Sequence, residues 1–480
     1  MPDDASPSTT PLCVDLDGTL VATDALWESI LLATRAQPTT LFRLLGWLMS
    51  GRAHLKRQLA ERVVPDVTTW PYRPEVVTAI EQARTASRPV LLVTASDQKI
   101  ADAVSDHLKL FDEAAGSDGT TNLKGGAKHK FLQARFGEGG YDYIGDSDAD
   151  VPVWAGARRA MVVSSSRGVM EKASQVANAQ EVPTEAVSTP MAMLRAIRPH
   201  QWTKNLLLFV PAVLAHKIGL LEVTSHVAIA FVAFGLCASA VYVINDLLDL
   251  ESDRLHPSKR RRPFAAGHLS IPTGVAMASV CALGGVGLAA VLLPTPFVAA
   301  LLGYLAITTA YSVYLKRQML VDILVLALLY TYRVIAGGLA VDVPVSFWLL
   351  AFSMFFFTSL AFAKRYSELT RLRNANGEDA PGRGYSVVDL EIVRSVGPAT
   401  GLIAVLVFAL YIHSPKVRTL YERPMLMWAI CPLLMYWIVR VWFLAGRERL
   451  DDDPIVFAVR DPVSYVVGVL TAVCLVLATL

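Results

Sequence analysis

From Arg198 onward the chain alternates apolar stretches of about twenty residues with short charged loops. Few folds tolerate that pattern. A stretch of this length crosses ~30 Å of hydrocarbon as a helix, because lipid offers no partners to unpaired backbone groups. About nine such stretches can be counted, roughly 204–221, 226–247, 272–293, 296–314, 319–340, 345–363, 396–413, 425–444 and 463–480. With the N-terminus in the cytoplasm, about twenty Lys/Arg fall on inner loops and about four on outer ones, with Lys416, Arg418 and Arg423 the main exceptions. The expected location is therefore the cytoplasmic (inner) membrane, with the first 190 residues soluble on its cytoplasmic side.

The second apolar stretch ends in Asn245-Asp246-Leu247-Leu248-Asp249-Leu250-Glu251-Ser252-Asp253, followed by the basic run His256 to Pro263. On a helix Asp246, Asp249 and Asp253 fall at i, i+3 and i+7, with Asn245 on an adjoining row. Carboxylates this close raise each other's pKa unless a cation neutralises them. Mg²⁺ suits them, since it takes few protein carboxylates and completes its shell with water and substrate phosphates. The duller reading is a helix end carrying ordinary interfacial charge, although acids there oppose the helix dipole. A net charge of +2, with the bases clustered in loops, gives no sign of nucleic-acid binding. The five cysteines are isolated, which excludes a disulfide framework and a zinc site as expectations.

The soluble part begins with a polar segment, residues 1–10, expected to be disordered. The short strand Pro11–Val14 then runs into Asp15-Leu16-Asp17-Gly18-Thr19. A second buried strand, Val90–Val93, ends in Thr94, and Lys128 lies in a basic stretch. A third strand ends in Gly145-Asp146-Ser147-Asp148-Ala149-Asp150. These four signals, in this order over about residues 11–165, resemble the haloacid dehalogenase (HAD) phosphatase superfamily. The resemblance implies a Rossmann-like parallel sheet with a helical cap at about 24–73. It implies Asp15 as nucleophile and Asp17 as general acid/base, with Thr94 and Lys128 on the phosphoryl oxygens. Asp15, Asp146 and Asp150 would hold Mg²⁺. Lys130 rivals Lys128 by spacing alone. The cap's apolar residues, among them Leu26, Ile30, Leu31, Leu41, Leu44, Leu45, Leu48, Trp27 and Trp47, are expected to be buried within it, with contact to a membrane surface the alternative. Arg158–Ser165 reads as the last sheet strand and residues 166–190 as a polar linker.

The acidic segment, the span count and the basic inner loops of residues 191–480 resemble the UbiA superfamily of intramembrane prenyltransferases. The fold class implied is α/β, followed by an all-α polytopic bundle of about nine transmembrane helices. Beyond the sixth span this chain has Phe362-Ala363-Lys364-Arg365-Tyr366-Ser367-Glu368-Leu369, where the superfamily usually has a second acidic motif. Arg198–Asn205, Arg262–Gly267, Tyr314–Lys316 and Tyr332–Gly338 are similar to the branch that joins phosphoribosyl pyrophosphate (PRPP) to a polyprenyl phosphate. That resemblance implies Mg²⁺ on Asn245, Asp246, Asp249 and Asp253. It makes Lys204, Lys259, Arg260, Arg262, Lys316, Arg333, Lys364, Arg365 and Tyr366 candidates for substrate contact. Lys316 and Arg365 could instead be anchors at span ends. Arg333 lies inside an apolar span and should face a polar cavity, with Asp322 a candidate partner. The expected function is phosphoribosyl transfer to a polyprenyl phosphate, with the HAD domain removing a phosphate, the product's 5′-phosphate. The alternatives are prenyl transfer from another diphosphate donor to an aromatic acceptor, a transporter, and a merely regulatory HAD domain.

Overall fold

The computed structural model describes residues 10–163, 166–184, 188–374, 383–450 and 454–480. The expectations placed on residues 1–9 and 185–187, and on the side chains of Lys416 and Arg418, lie outside the described residues. The chain forms two compact units. One joins Met1–Ala196 to Val243–Met277, and the other joins Ile197–Tyr242 to Ala278–Leu480.

The first unit is built on β1 (Leu12–Val14), α1 (Ala25–Ala36), α2 (Thr40–Met49), α3 (Arg52–Ala60), α4 (Pro74–Thr85), β2 (Val90–Asp97), α5 (Gln98–Leu108) and β3 (Glu113–Ser117). It continues through α6 (Gly126–Phe136), β4 (Asp142–Gly145), α7 (Val151–Ala155), β5 (Arg159–Val162), α8 (Arg167–Val176), β6 (Ala179–Glu181) and α9 (Thr189–Ile197). The strands pair in parallel in the order β3-β2-β1-β4-β5-β6. β1 is the hinge of that order, with later strands added on either side of it. The carboxyl end of such a strand is where an open α/β sheet leaves a crevice. β1 and β2 are buried along nearly their whole length, as apolar runs covered by helices on both faces should be. The sheet extends one strand past the expected boundary. β6 falls inside the stretch read as a linker, because three half-exposed residues, Ala-Gln-Glu, carry no apolar run.

In the cap, α1 is capped by Asp24, whose carboxylate accepts from Leu26 N at 2.9 Å and Trp27 N at 3.2 Å. Leu26, Ile30, Leu44 and Trp47 pack on buried Ala33, Leu55 and Leu59. The expectation that the whole insertion is buried fails at α2. Leu41, Phe42, Leu45, Leu48 and Met49 are 47–85 % exposed, on the side turned away from that small core.

The same unit includes the end of α11 (Leu221–Leu248), α12 (Leu250–Leu255) and the start of α13 (Ile271–Leu292). Here α1 makes two long-range contacts. The Arg254 guanidinium donates to Glu28 at 2.5 Å, with both side chains 5 % exposed. Arg35 donates at 3.2 Å to the carbonyl of Leu248.

The second unit is helical. It contains α10 (Val210–Leu214), most of α11 and α13, α14 (Thr295–Val313), α15 (Val321–Ala340), α16 (Phe347–Asn374) and α17 (Leu390–Ile412). α18 (Pro415–Leu420), α19 (Ile430–Gly446), α20 (Pro454–Arg460) and α21 (Pro462–Thr479) complete it. Among the described residues eight helices are long and apolar enough to cross a membrane. The expected first span is not one of them. Pro199–Phe209 is a 3₁₀ stretch leading into the five-residue α10, with Pro211 at its start and Lys204 and Asn205 polar within it.

Asp322 on α15 and Arg365 on α16 form an ion pair that is wholly buried. Asp322 also accepts from Tyr385 Oη at 2.7 Å, and Arg365 reaches Glu368 as well. Removing one member of such a pair leaves an uncompensated charge, whereas an apolar replacement of both is often tolerated. Asp322→Leu is expected to cost about 3–5 kcal/mol and lower the detergent-solubilised melting temperature. Combining it with Arg365→Met should recover most of that loss in the same melt.

Candidate active sites

Asp15 follows β1 directly, and its backbone N–H donates to Ile144 O at 3.0 Å, fixing the residue between two strand ends. Lys128, from α6, donates to Asp15 Oδ1 at 2.6 Å and to Tyr143 Oη at 2.7 Å. Tyr143 donates in turn to Asp150 Oδ1 at 2.9 Å. The other Asp150 oxygen accepts from the backbone of Asp146 and Ser147. Asp15, Asp146 and Asp150 each offer an oxygen within 4.8 Å of the others. Three hard oxygens at this spacing, those of Asp15 and Asp150 buried and that of Asp146 half-buried, fit a small divalent cation. Gly18 makes the crowding possible. Its φ is +78°, and a Cβ there would stand 2.2 Å from Asp146 Oδ2.

Asp17 accepts from Ala25 N–H at 2.7 Å and from Ser96 Oγ at 2.7 Å, which ties the acid to the first turn of α1 and to the end of β2 just beyond Thr94. Thr94 is fully buried beside them. Lys130 is exposed, so α6 turns Lys128 and not its rival toward Asp15. Burial pushes the Asp15 carboxyl up to about 7 against the pull of Lys128, and Asp146 up to about 8, with Asp15 and Asp150 adding repulsion. Asp17 rises to about 6, again chiefly by burial, with Asp24 adding. Burial lowers Lys128, but Asp15 and Asp150 more than reverse this and keep it charged.

Sequence reasoning missed Lys56. From α3 it donates to Ala95 O at 2.5 Å and to Asn122 Oδ1 at 3.1 Å, and the charges of Asp17 and Asp24 act on it. It brings the cap to the strand end that carries Thr94. No motif marks it. Tyr143 was legible only as an alternating strand residue.

In the acidic segment the helical hydrogen bonding runs on through Asp249, whose N–H donates to Asn245 O and whose carbonyl accepts from Asp253 N–H. Asp246 and Asp253 are buried and are bridged by Arg262, at 3.1 and 2.6 Å. A cation thus already spans two of the acids expected to hold Mg²⁺, and the donor set of carboxylates and Asn245 fits a hard ion. Asn245 and Asp249 are half-buried, and Lys259 and Arg260 are exposed.

Arg333 is buried in the helical unit with neutral hydrogen-bond partners, Asn205 Oδ1 at 3.1 Å, Leu329 O at 2.6 Å and Tyr304 Oη at 3.0 Å. Its guanidinium also stands 5.0–5.8 Å from the rings of Phe234, Tyr304 and Tyr330. Lys204 Nζ lies 5.9 Å over the same Tyr330 ring. Asp322 is not the partner of Arg333. The two are eleven positions apart on one helix, about 16 Å along its axis, and Asp322 belongs to Arg365. Arg365 itself is fully buried in that pair, which leaves it unsuited to hold a substrate phosphate. Tyr366 packs on Trp442 at 5.9 Å, and Lys316 and Lys364 are half-buried. A separate apolar cavity of about 510 Å³ is lined by residues such as Val210, Trp348, Phe408 and Leu475, and by none of the candidate phosphate contacts.

Residues 206–460 match the model of the UbiA prenyltransferase family, and residues 12–154 match haloacid dehalogenase-like hydrolase. The chain belongs to the UbiA prenyltransferase family. It is a multi-pass membrane protein with a HAD-like N-terminal domain. Among its relatives is the uncharacterized protein y4nM of Sinorhizobium fredii, 38% identical over 98% of this chain and 91% of that protein. The nodulation protein NoeC of Azorhizobium caulinodans is 39% identical over 58% of this chain and 89% of its own length. Decaprenyl-phosphate phosphoribosyltransferase of Mycobacterium tuberculosis is 41% identical, over 40% of this UbiA-family chain and 64% of that protein.

Protons compete with a divalent ion for carboxylates whose pKa is raised. With Asp146 near 8 and Asp15 near 7, the competition strengthens as pH falls through those values. The Mg²⁺ concentration for half-occupancy of this acid cluster is expected to rise ~tenfold or more between pH 8 and pH 6, measured by titration calorimetry of the full chain against its Asp146→Asn variant.

Proposed function

We propose that the membrane unit transfers phosphoribosyl from PRPP to a polyprenyl phosphate, releasing pyrophosphate, and that the HAD-like domain hydrolyses the product's 5′-phosphate. The observation that carries the first step is Arg333. A buried cation with only neutral partners among the described residues is costly inside a membrane bundle. An anionic ligand beside it offsets that cost, and both substrates bring phosphate. The relative named decaprenyl-phosphate phosphoribosyltransferase supports the choice of donor.

In this reading Asn245, Asp246, Asp249 and Asp253 hold Mg²⁺, which supplies charge neutralisation for the departing pyrophosphate. Arg262 and the exposed Lys259 and Arg260 bind its outer oxygens, while Lys204 and Arg333 serve the remaining phosphates. The C1–O bond to pyrophosphate breaks, and an oxygen of the lipid phosphate forms the new bond to C1. That oxygen is already anionic, so no general base is required. Positioning and fixed charge supply the rate.

In the soluble domain Asp15 attacks the 5′-phosphorus while Asp17 gives a proton to the departing ribose oxygen. Lys128 and Thr94 hold the phosphoryl oxygens. Asp17 then takes a proton from the water that cleaves the aspartyl-phosphate. Asp15, Asp146 and Asp150 hold the second Mg²⁺, which balances the charge of the dianion. Loss of the 5′-phosphate removes the group by which the reverse transfer would recognise its substrate. The chemistry needs the catalytic domain on the side that holds PRPP, the cytoplasm.

The test is PRPP labelled in the ribose, incubated with membranes containing the chain, a polyprenyl phosphate and Mg²⁺. Lipid-extractable label should appear with wild type and vanish with Asp249→Asn. With Asp15→Asn the label should stay in lipid but retain its 5′-phosphate, and phosphate release should fall by about 10³ or more. Turnover of a polyprenyl diphosphate with an aromatic acceptor, and none of PRPP, would sink the phosphoribosyl reading.

A further inference from the structure

We propose that α2 is an interfacial helix, seated with its outer face among the headgroups and upper acyl chains of an anionic bilayer. The helix, Thr-Leu-Phe-Arg-Leu-Leu-Gly-Trp-Leu-Met, is apolar nearly all round. Its inner side is accounted for, since Leu44 and Trp47 pack on the cap core. On the outer side Leu41, Phe42, Leu45, Leu48 and Met49 are left 47–85 % exposed. A helix apolar on both sides is ordinarily covered on both, and a contiguous exposed patch marks a contact surface.

Two further observations choose the occupant. Arg35, at the end of α1, donates to the carbonyl of Leu248, the last residue of the membrane span α11. α2 begins five residues after Arg35, within ~18 Å of fully extended chain. It therefore starts within reach of the point where that span ends, and so of the depth an interfacial helix occupies. Charge then selects the surface. Residues 29–60 form a run with no Asp or Glu whose exposed bases include Arg43 and Arg52, while Arg35, Lys56 and Arg57 are engaged within the protein. Anionic headgroups complement that run, whereas a second copy of the same face would set Arg43 and Arg52 against their own kind.

A phosphatase held at headgroup depth is suited to a monoester that is itself anchored in lipid. This extension rests on the function proposed above, and the membrane contact does not. The full chain carrying Phe42→Cys, labelled with an environment-sensitive fluorophore, should be reconstituted in vesicles of phosphatidylcholine and phosphatidylglycerol. Signal from labelled wild-type chain is subtracted, and Glu81→Cys on the exposed side of α4 serves as the aqueous reference. The Phe42 label is expected to shift to the blue, to be quenched by brominated lipid and to resist iodide several-fold better than the Glu81 label. Equal quenching of both labels by iodide would overturn the proposal. So would disulfide-linked pairs of Phe42→Cys chains at low protein-to-lipid ratio, which would make a second copy the occupant.

The variant Leu41→Gln/Phe42→Gln/Leu45→Gln then tests the substrate class. The ratio of 5′-phosphate release from the lipid product to release from p-nitrophenyl phosphate should fall several-fold. A parallel fall in both would refute the lipid-borne substrate. Absence of any Asp15-dependent phosphate release would refute the phosphatase reading, and the quenching result would still judge the contact.

Discussion

The contact between the Lys128 ammonium and the Asp15 carboxylate lets the HAD-like domain gather three acids at the adjacent ends of β1 and β4. Burial and mutual repulsion push those carboxyls up, and Lys128 opposes that push at Asp15. Tyr143 extends the arrangement by donating to Asp150 while accepting from Lys128, so one lysine orients two acids. The same economy recurs outside the sheet, where Arg262 spans Asp246 and Asp253. In both places a positive group of the protein sits between carboxylates that a divalent ion would otherwise have to neutralise alone. Each acid cluster is thereby held together by the protein's own charge.

Much of this was legible in the residues. Of the nine apolar stretches counted after Arg198, eight correspond to long apolar helices among the described residues, and four of them, 272–293, 296–314, 319–340 and 463–480, agree with the structure at both ends to within two residues. The strand-plus-acid signals at Asp15, Asp146 and Asp150 converge in space because parallel strands bring their carboxyl ends together. What escaped were features without a period. β6 is three residues with no apolar run. The first expected span, 204–221, was apolar enough on average but carries Pro211 and the polar Lys204, Asn205, His216 and Lys217, and it folds as short helical pieces. Lys56 and the Glu28–Arg254 pair depend on tertiary approach alone, the latter over 226 positions.

Arg333 and Arg365 show the limit most plainly. In the sequence Arg333 lies inside an apolar span and is expected to face a polar cavity, while Arg365 lies just past the end of one and is open to being a substrate contact or an anchor. In the structure Arg365 finds Asp322 forty-three positions away and becomes part of the packing, while Arg333 finds an amide, a phenol and a carbonyl. Neutral dipoles solvate a guanidinium without cancelling its charge, so Arg333 retains a field that an anion can use. The distinction between a structural and a functional arginine is made entirely by the partner across the helix interface.

α1 has a last consequence. Its first turn holds Asp17 through the Ala25 N–H, its middle holds Arg254 through Glu28, and its end holds the Leu248 carbonyl through Arg35. Two of these attachments fix the cap to the 243–277 segment directly, and the third ties it to the acid-bearing loop after β1. The covalent connection from β6 to α9 then has only to close the chain, and loop closure costs little more when a loop is lengthened. Insertions in that connection should be among the best tolerated changes in the protein, and the spacing of contacts along α1 among the least.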